Sequence, residues 1–135
     1  MHHQYNIKNE ILKKKYEQSL ELDEKLSAKS VYSKIKDVRK YEEFTGFKDV
    51  STFNKNQALA FKEHFKKKVD GSENGVQYAT VWRVLDNIKS FFIWLSHEHG
   101  FKKRININDL NAFNLSMKEE AVAKTRGFKN VPTLE

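Results

Sequence analysis

The chain has 135 residues, 39% of them hydrophobic and 13% aromatic, enough apolar surface for one modest core and too much for a chain disordered throughout. Lys and Arg total 25 against 18 acids, a net charge of +7, which favours a polyanion such as nucleic acid as partner. There are no cysteines, so disulfides, cysteine-ligated zinc and thiol nucleophiles are excluded; no apolar run approaches the roughly 20 residues of a membrane span, and a cytoplasmic location is expected.

One proline and five glycines are few breaks for a chain of this length, and sustained period-two alternation is missing, so an all-α fold is predicted. The first helical segment runs from about Asn6 to Leu22, with Ile7, Ile11, Leu12, Tyr16 and Leu20 as a loose apolar stripe. Lys13, Lys14 and Lys15 interrupt it and read as a solvated face. Ser27 is placed to cap a second helix, because its hydroxyl can accept from a free backbone N–H in the first turn. Val31, Ile35, Val38 and Glu42 share one face of that helix, and Glu42 is expected where the face emerges into solvent. Lys29, Ser33, Lys36 and Lys40 fall on the other side, and Gly46 ends the helix.

Phe47 to Phe53 forms a connection. Asn54 then caps a third helix, about Lys55 to Val69, whose buried stripe is Ala58, Phe61, Phe65 and Val69. Lys66, Lys67 and Lys68 close it and suit the negative end of its dipole. The run from Asp70 to Gly75 is the clearest loop. The fourth helix, Val76 to about His97, carries the widest stripe: Val81, Val84, Leu85, Ile88, Phe91, Phe92 and Leu95. Gly100 follows its end. A capped turn is predicted from Asn106 through Phe113, a short helix from Met117 to Lys124 after Ser116, and an extended linker from Thr125 to Glu135. The expected organisation is a helical domain over residues 1–124 and a linker over 125–135.

Enzyme chemistry finds little support. His97 and His99 sit two apart, whereas a metal pair on a helix needs a spacing of three or four, and no phosphate-binding glycine loop, nucleophile elbow or zinc-protease motif occurs. No cofactor, metal or catalytic residue is assigned. Two helices do combine an apolar stripe with a polar face suited to phosphates: Lys29, Ser33, Lys36 and Lys40 on the second, and Thr80, Arg83 and Asn87 on the fourth, with Gln77 and Tyr78 in its entry turn. Lysines, hydroxyls and helix N-termini position a protein on the backbone, while Arg, Asn and Gln also read base edges. Taken singly, each of these residues is no more than the solvated side of an amphipathic helix; the pairing of two such faces is what favours binding.

The order of these segments resembles a known family. Leu26-Ser27-Ala28-Lys29-Ser30-Val31, followed by Val38-Arg39-Lys40-Tyr41-Glu42-Glu43-Phe44-Thr45-Gly46, resembles the first half of the core-binding domain of tyrosine recombinases, the phage integrase family. Val76-Gln77-Tyr78-Ala79-Thr80-Val81, then Leu85-Asp86-Asn87-Ile88-Lys89-Ser90-Phe91-Phe92-Ile93-Trp94-Leu95, is similar to its second half. Asp109 to Ser116 and Val131-Pro132-Thr133-Leu134-Glu135 look like the connection into the catalytic domain. The likeness spans roughly residues 6 to 135 and consists of loose patterns in the right order.

The resemblance implies a SAM-like bundle of four main helices with short C-terminal helices, forming half of a clamp around double-stranded DNA. It implies that Lys29, Ser30 and Ser33 meet DNA from the second helix, and Thr80, Arg83 and Asn87 from the fourth. Partners would be duplex DNA, the catalytic domain of the same protein and other recombinase protomers, with no membrane. The family's catalytic Arg, Lys, His-x-x-Arg and Tyr cannot be placed in this sequence, so strand cleavage is not expected of this chain. Trp94 is expected at the edge of the core, since an aromatic beside a helical stripe usually packs there. A helical protein-interaction domain without DNA binding is the alternative, to be told apart by an exposed apolar patch.

Overall fold

A computed structural model describes residues 5–70 and 77–115; within it the side chains of Val69, Asp70, Gln77 and Tyr78 lie outside the description. Four α-helices follow one another: α1 (Ile7–Leu22), α2 (Ala28–Thr45), α3 (Lys55–Asp70) and α4 (Gln77–Ser96). Short 3-10 segments at Val50–Thr52 and Ile107–Phe113 complete the described chain, and no strand occurs among the described residues. The fold is therefore all-α. Of the expected loop from Asp70 to Gly75, Asp70 is the last residue of α3; the rest of it, the helix after Ser116 and the linker over 125–135 lie outside the described residues.

Side chains set most of the helix boundaries. The Asn6 side chain accepts from the Asn9 backbone N–H at 3.1 Å, Ser27 Oγ from Ser30 N–H at 3.2 Å, and Asn54 Oδ1 from Gln57 N–H at 2.8 Å. Each satisfies one donor that a helix start leaves without an intrahelical partner. Asn106 does the same for the second 3-10 segment, accepting from Asn108 N–H at 2.9 Å. Gly46, at φ 72°, ends α2: Phe47 N–H reaches Glu42 O at 2.8 Å and Gly46 N–H reaches Glu43 O at 3.3 Å. That pair of bonds is a Schellman closure, and the left-handed φ it needs favours glycine.

The α4 helix is the centre of the molecule, packed against α2, α3 and the second 3-10 segment. All seven residues of its predicted stripe, Val81 to Leu95, are buried. Each such side chain contributes roughly 1.5–3 kcal/mol by leaving water. Tyr41 of α2 meets Phe61 of α3, Phe92 of α4 and Phe113 edge-on, at centroid separations of 5.2, 5.4 and 5.6 Å. One ring thus joins three helices and the 3-10 segment, in the geometry that aromatic quadrupoles prefer. Its hydroxyl donates to Gln57 Oε1, and burial raises the tyrosine pKa well above its ordinary value. Trp94 lies at the core edge, tilted against Tyr16 and stacked on Phe91.

Two expectations are corrected here. Glu42 does not emerge into solvent; it is 1% exposed. Lys13 is not part of a solvated face either, for its Nζ lies 2.6 Å from Glu42 Oε1 and 2.7 Å from Glu10 Oε2. Asn9 completes the cluster. Its Nδ2 donates to Glu42 Oε2 at 3.1 Å and to Lys48 O at 2.8 Å, while its Oδ1 accepts from Val50 N–H at 2.9 Å. Lys13, Glu42 and Asn9 answer one another's buried charge or dipole, which is the condition for keeping polar groups out of water, while Glu10 Oε2 is an ion-pair partner of Lys13 that makes no hydrogen bond. The cluster pins α1 to α2 and to the turn after it. Lys14 and Lys15 are exposed as expected.

Candidate nucleic-acid interface

α2 and α4 pack against each other, and of the predicted polar faces Lys40 on α2 and Arg83 and Asn87 on α4 meet at one shared carboxylate. Their seam is organised by a residue that the sequence reading did not single out. Asp37, on α2, is 1% exposed. Its Oδ2 accepts from Asn87 Nδ2 of α4 at 2.8 Å and lies 3.5 Å from Arg83 Nε; its Oδ1 accepts from Lys40 Nζ at 2.8 Å. Asn87 Oδ1 in turn accepts from Lys34 Nζ at 3.1 Å.

This arrangement is self-consistent chemistry. A carboxylate that deep in the protein is costly unless paired and hydrogen-bonded. Here one cation from its own helix, one from α4 and a side-chain amide do so together. Helical geometry explains the choice of residues. Lys34, Asp37 and Lys40 are three apart and so lie along one side of α2, while Arg83 and Asn87 are four apart on α4. Two cations thereby contact one buried carboxylate, and a third, Lys34, reaches its amide partner Asn87. The Arg83 side chain remains 53% exposed and that of Lys40 30% exposed, so both present charge to solvent while one edge is held.

The predicted residues divide as follows. Lys29, Ser30, Lys36 and Arg83 are exposed; Ser33, Lys40 and Thr80 are half-buried. Asn87 is a correction: it does not face outward but is buried, its amide spent on Asp37 and Lys34. The side chains of Gln77 and Tyr78 lie outside the described ones. Lys34 and Asp37 were missed. The available signal was an aspartate beside Val38 with lysines three residues to either side, a spacing that invites intrahelical pairing.

Two further features bear on the chemistry. Asp49 heads the first 3-10 segment. Burial works to raise its pKa, but hydrogen bonds from the Ser51 backbone and side chain, with the charges of Lys8 and Arg104, outweigh that and lower it below 3.8. Among the described residues, no group of three or more His, Asp or Glu could hold a metal ion, and no helix is long and apolar enough to cross a membrane. No protein-family model, curated protein or solved structure matches this chain.

Proposed function

We propose that this domain grips double-stranded DNA through the joined faces of α2 and α4, as the core-binding half of a tyrosine-recombinase clamp. In this reading, strand cleavage and rejoining belong to a separate catalytic domain of the same protein, and other protomers assemble on the DNA. The observation that carries it is the seam itself. Lys34, Lys40 and Arg83 come from two helices and are held in place by one buried Asp37–Asn87 pair, with Lys29, Ser30 and Lys36 exposed on α2. Cations held by second interactions have less side-chain freedom to lose on binding a phosphate. Lys34, Lys36, Lys40 and Lys29 act as phosphate contacts that set position, and Arg83 is the residue able to reach a base edge.

The test is the double substitution Arg83→Ala with Lys36→Ala. Both side chains are exposed, so the helical circular-dichroism signal should be unchanged. Affinity for duplex DNA should fall, and the slope of log K against log salt should flatten by about one unit per cation lost, near two for the pair. Wild-type affinity and slope in the double variant would place the DNA-binding surface elsewhere or nowhere on this domain.

A second reading, a protein-interaction domain, has one observation in its favour. Ile7 and Ile11 lie one turn apart on α1 and are 63% and 54% exposed. Two side chains form a small patch beside the several hundred Å² expected of a docking face. Ile7→Ser with Ile11→Ser should leave DNA affinity untouched; loss of self-association or of partner capture in that variant, with no DNA binding by the wild type, would favour the second reading.

A further inference from the structure

The lysines at the end of α3 complement the helix dipole, a local effect worth about 0.3–1 kcal/mol that needs no ligand. That accounts for their place on α3 but not for what stands opposite them. A cleft of about 300 Å³ runs between α2 and α3, with Lys40 on one wall and His64 and Lys68 on the other. Its floor is Phe44, Phe61 and Phe65. Lys40 belongs to a different helix, so the α3 dipole does not explain its presence. It is also the same Lys40 whose Nζ is held 2.8 Å from the buried Asp37 carboxylate, so one side chain is shared by the cleft and the α2–α4 seam.

We infer that the α2–α3 cleft is a second phosphodiester-binding site, carrying the nucleic-acid backbone from the α2–α4 seam onto α3, with Lys68 as its contact there. This rests on the DNA-binding reading of the neighbouring seam. Three features argue for it. First, the rim carries more positive than negative charge: Lys40 and Lys68 line the cleft against one carboxylate, Glu43, which already engages Arg39 at 3.5 Å. Second, the floor is aromatic hydrocarbon, with Phe61 1% and Phe65 5% exposed. A low-dielectric wall behind a cationic rim focuses the positive field outward, toward an approaching anion. Third, the volume is at the lower bound of small-molecule pockets. It suits one backbone unit of a longer polymer better than a free metabolite.

The experiment uses the whole 135-residue chain and a fluorescein-labelled duplex of generic sequence, with anisotropy titrations across a salt series. Lys68→Ala is the test variant, Lys68→Arg the conservative one, and Lys14→Ala, an exposed lysine on α1, the control. Lys68→Ala should reduce the salt slope by about one unit, so that affinity falls about 3- to 4-fold less than in wild type between roughly 50 and 200 mM salt. Lys68→Arg should keep the wild-type slope, and so should Lys14→Ala. An unchanged slope in Lys68→Ala overturns the inference. If Arg83→Ala with Lys36→Ala still flattens the slope, the seam stands and only the cleft fails; if neither variant changes it, the seam fails as well. A polyglutamate peptide that binds in a Lys68-dependent way and is not displaced by duplex would also overturn it, in favour of an acidic protein partner.

Discussion

Glu42→Ala offers a direct measurement of the buried cluster that pins α1. The substitution removes a carboxylate that accepts from Lys13 at 2.6 Å and from Asn9 at 3.1 Å. Breaking a buried ion pair by deleting one partner costs about 3–5 kcal/mol, because the other charge stays behind uncompensated. Two contacts moderate that here. Lys13 keeps Glu10, whose side chain is 43% exposed, and Asn9 keeps the Lys48 carbonyl. The expected loss is therefore at the lower end, about 3 kcal/mol, a large part of the roughly 5–15 kcal/mol of a domain's total stability. With a urea m-value of about 2 kcal/mol/M, the midpoint should drop by about 1.5 M.

Urea unfolding followed by circular dichroism reads this directly, and the m-value should not change. The double variant Lys13→Met, Glu42→Leu sharpens the argument. Replacing both charges by apolar groups of similar volume is often neutral or stabilising, so the pair should cost less than Glu42→Ala alone. An unfolding free energy for Glu42→Ala within about 0.5 kcal/mol of wild type would mean that Glu42 is solvated and the cluster is not a support. A double variant worse than the single would mean that the ion pair itself, and not relief of an unpaired charge, governs the energetics.

The residues that misled are of one kind. Periodicity located α4 and its whole stripe, because a helix facing two others and a 3-10 segment must repeat apolar residues every three or four positions. Ser27, Asn54, Asn106 and Gly46 marked boundaries because their chemistry acts within a turn of their own positions. Glu42, Lys13, Asp37 and Asn87 could not be read this way. Their partners lie 29 to 53 residues away: Lys13 to Glu42, Asp37 to Asn87 and Lys34 to Asn87. A polar residue at a stripe position is ordinarily the edge of the face, and only the partner, unseen in local pattern, distinguishes a solvated edge from a buried bond. Exposure of Lys29, Lys36 and Arg83 followed from their opposition to the stripe, whereas the seam that joins them depends on how α2 and α4 dock.

Three further substitutions separate these effects. Gly46→Ala should cost about 1 kcal/mol in thermal unfolding, through the left-handed φ of 72° alone, since nothing lies within 4 Å of the added carbon; an unchanged melting temperature would mean that α2 ends differently. The Asp49 carboxyl, lowered below its ordinary 3.8 in the folded state, contributes stability that is fully present above pH 3.8 and is lost as pH falls through the folded value. Wild type should therefore lose more stability than Asp49→Asn when acidified through that window, and parallel pH profiles would refute the assignment. Asn87→Ala decides between two views of the interface. A duplex-facing Asn87 would lose affinity on truncation and leave stability unchanged. Truncating a buried Asn87 takes the amide donor from Asp37 Oδ2, which keeps only Arg83 at 3.5 Å, and the acceptor from the Lys34 ammonium, costing about 1–3 kcal/mol of stability. Because no cation is removed, the salt slope of DNA binding should remain that of wild type. A variant as stable as wild type but weaker on DNA would return Asn87 to the binding face and remove the Asp37–Asn87 pair as the element that holds the seam.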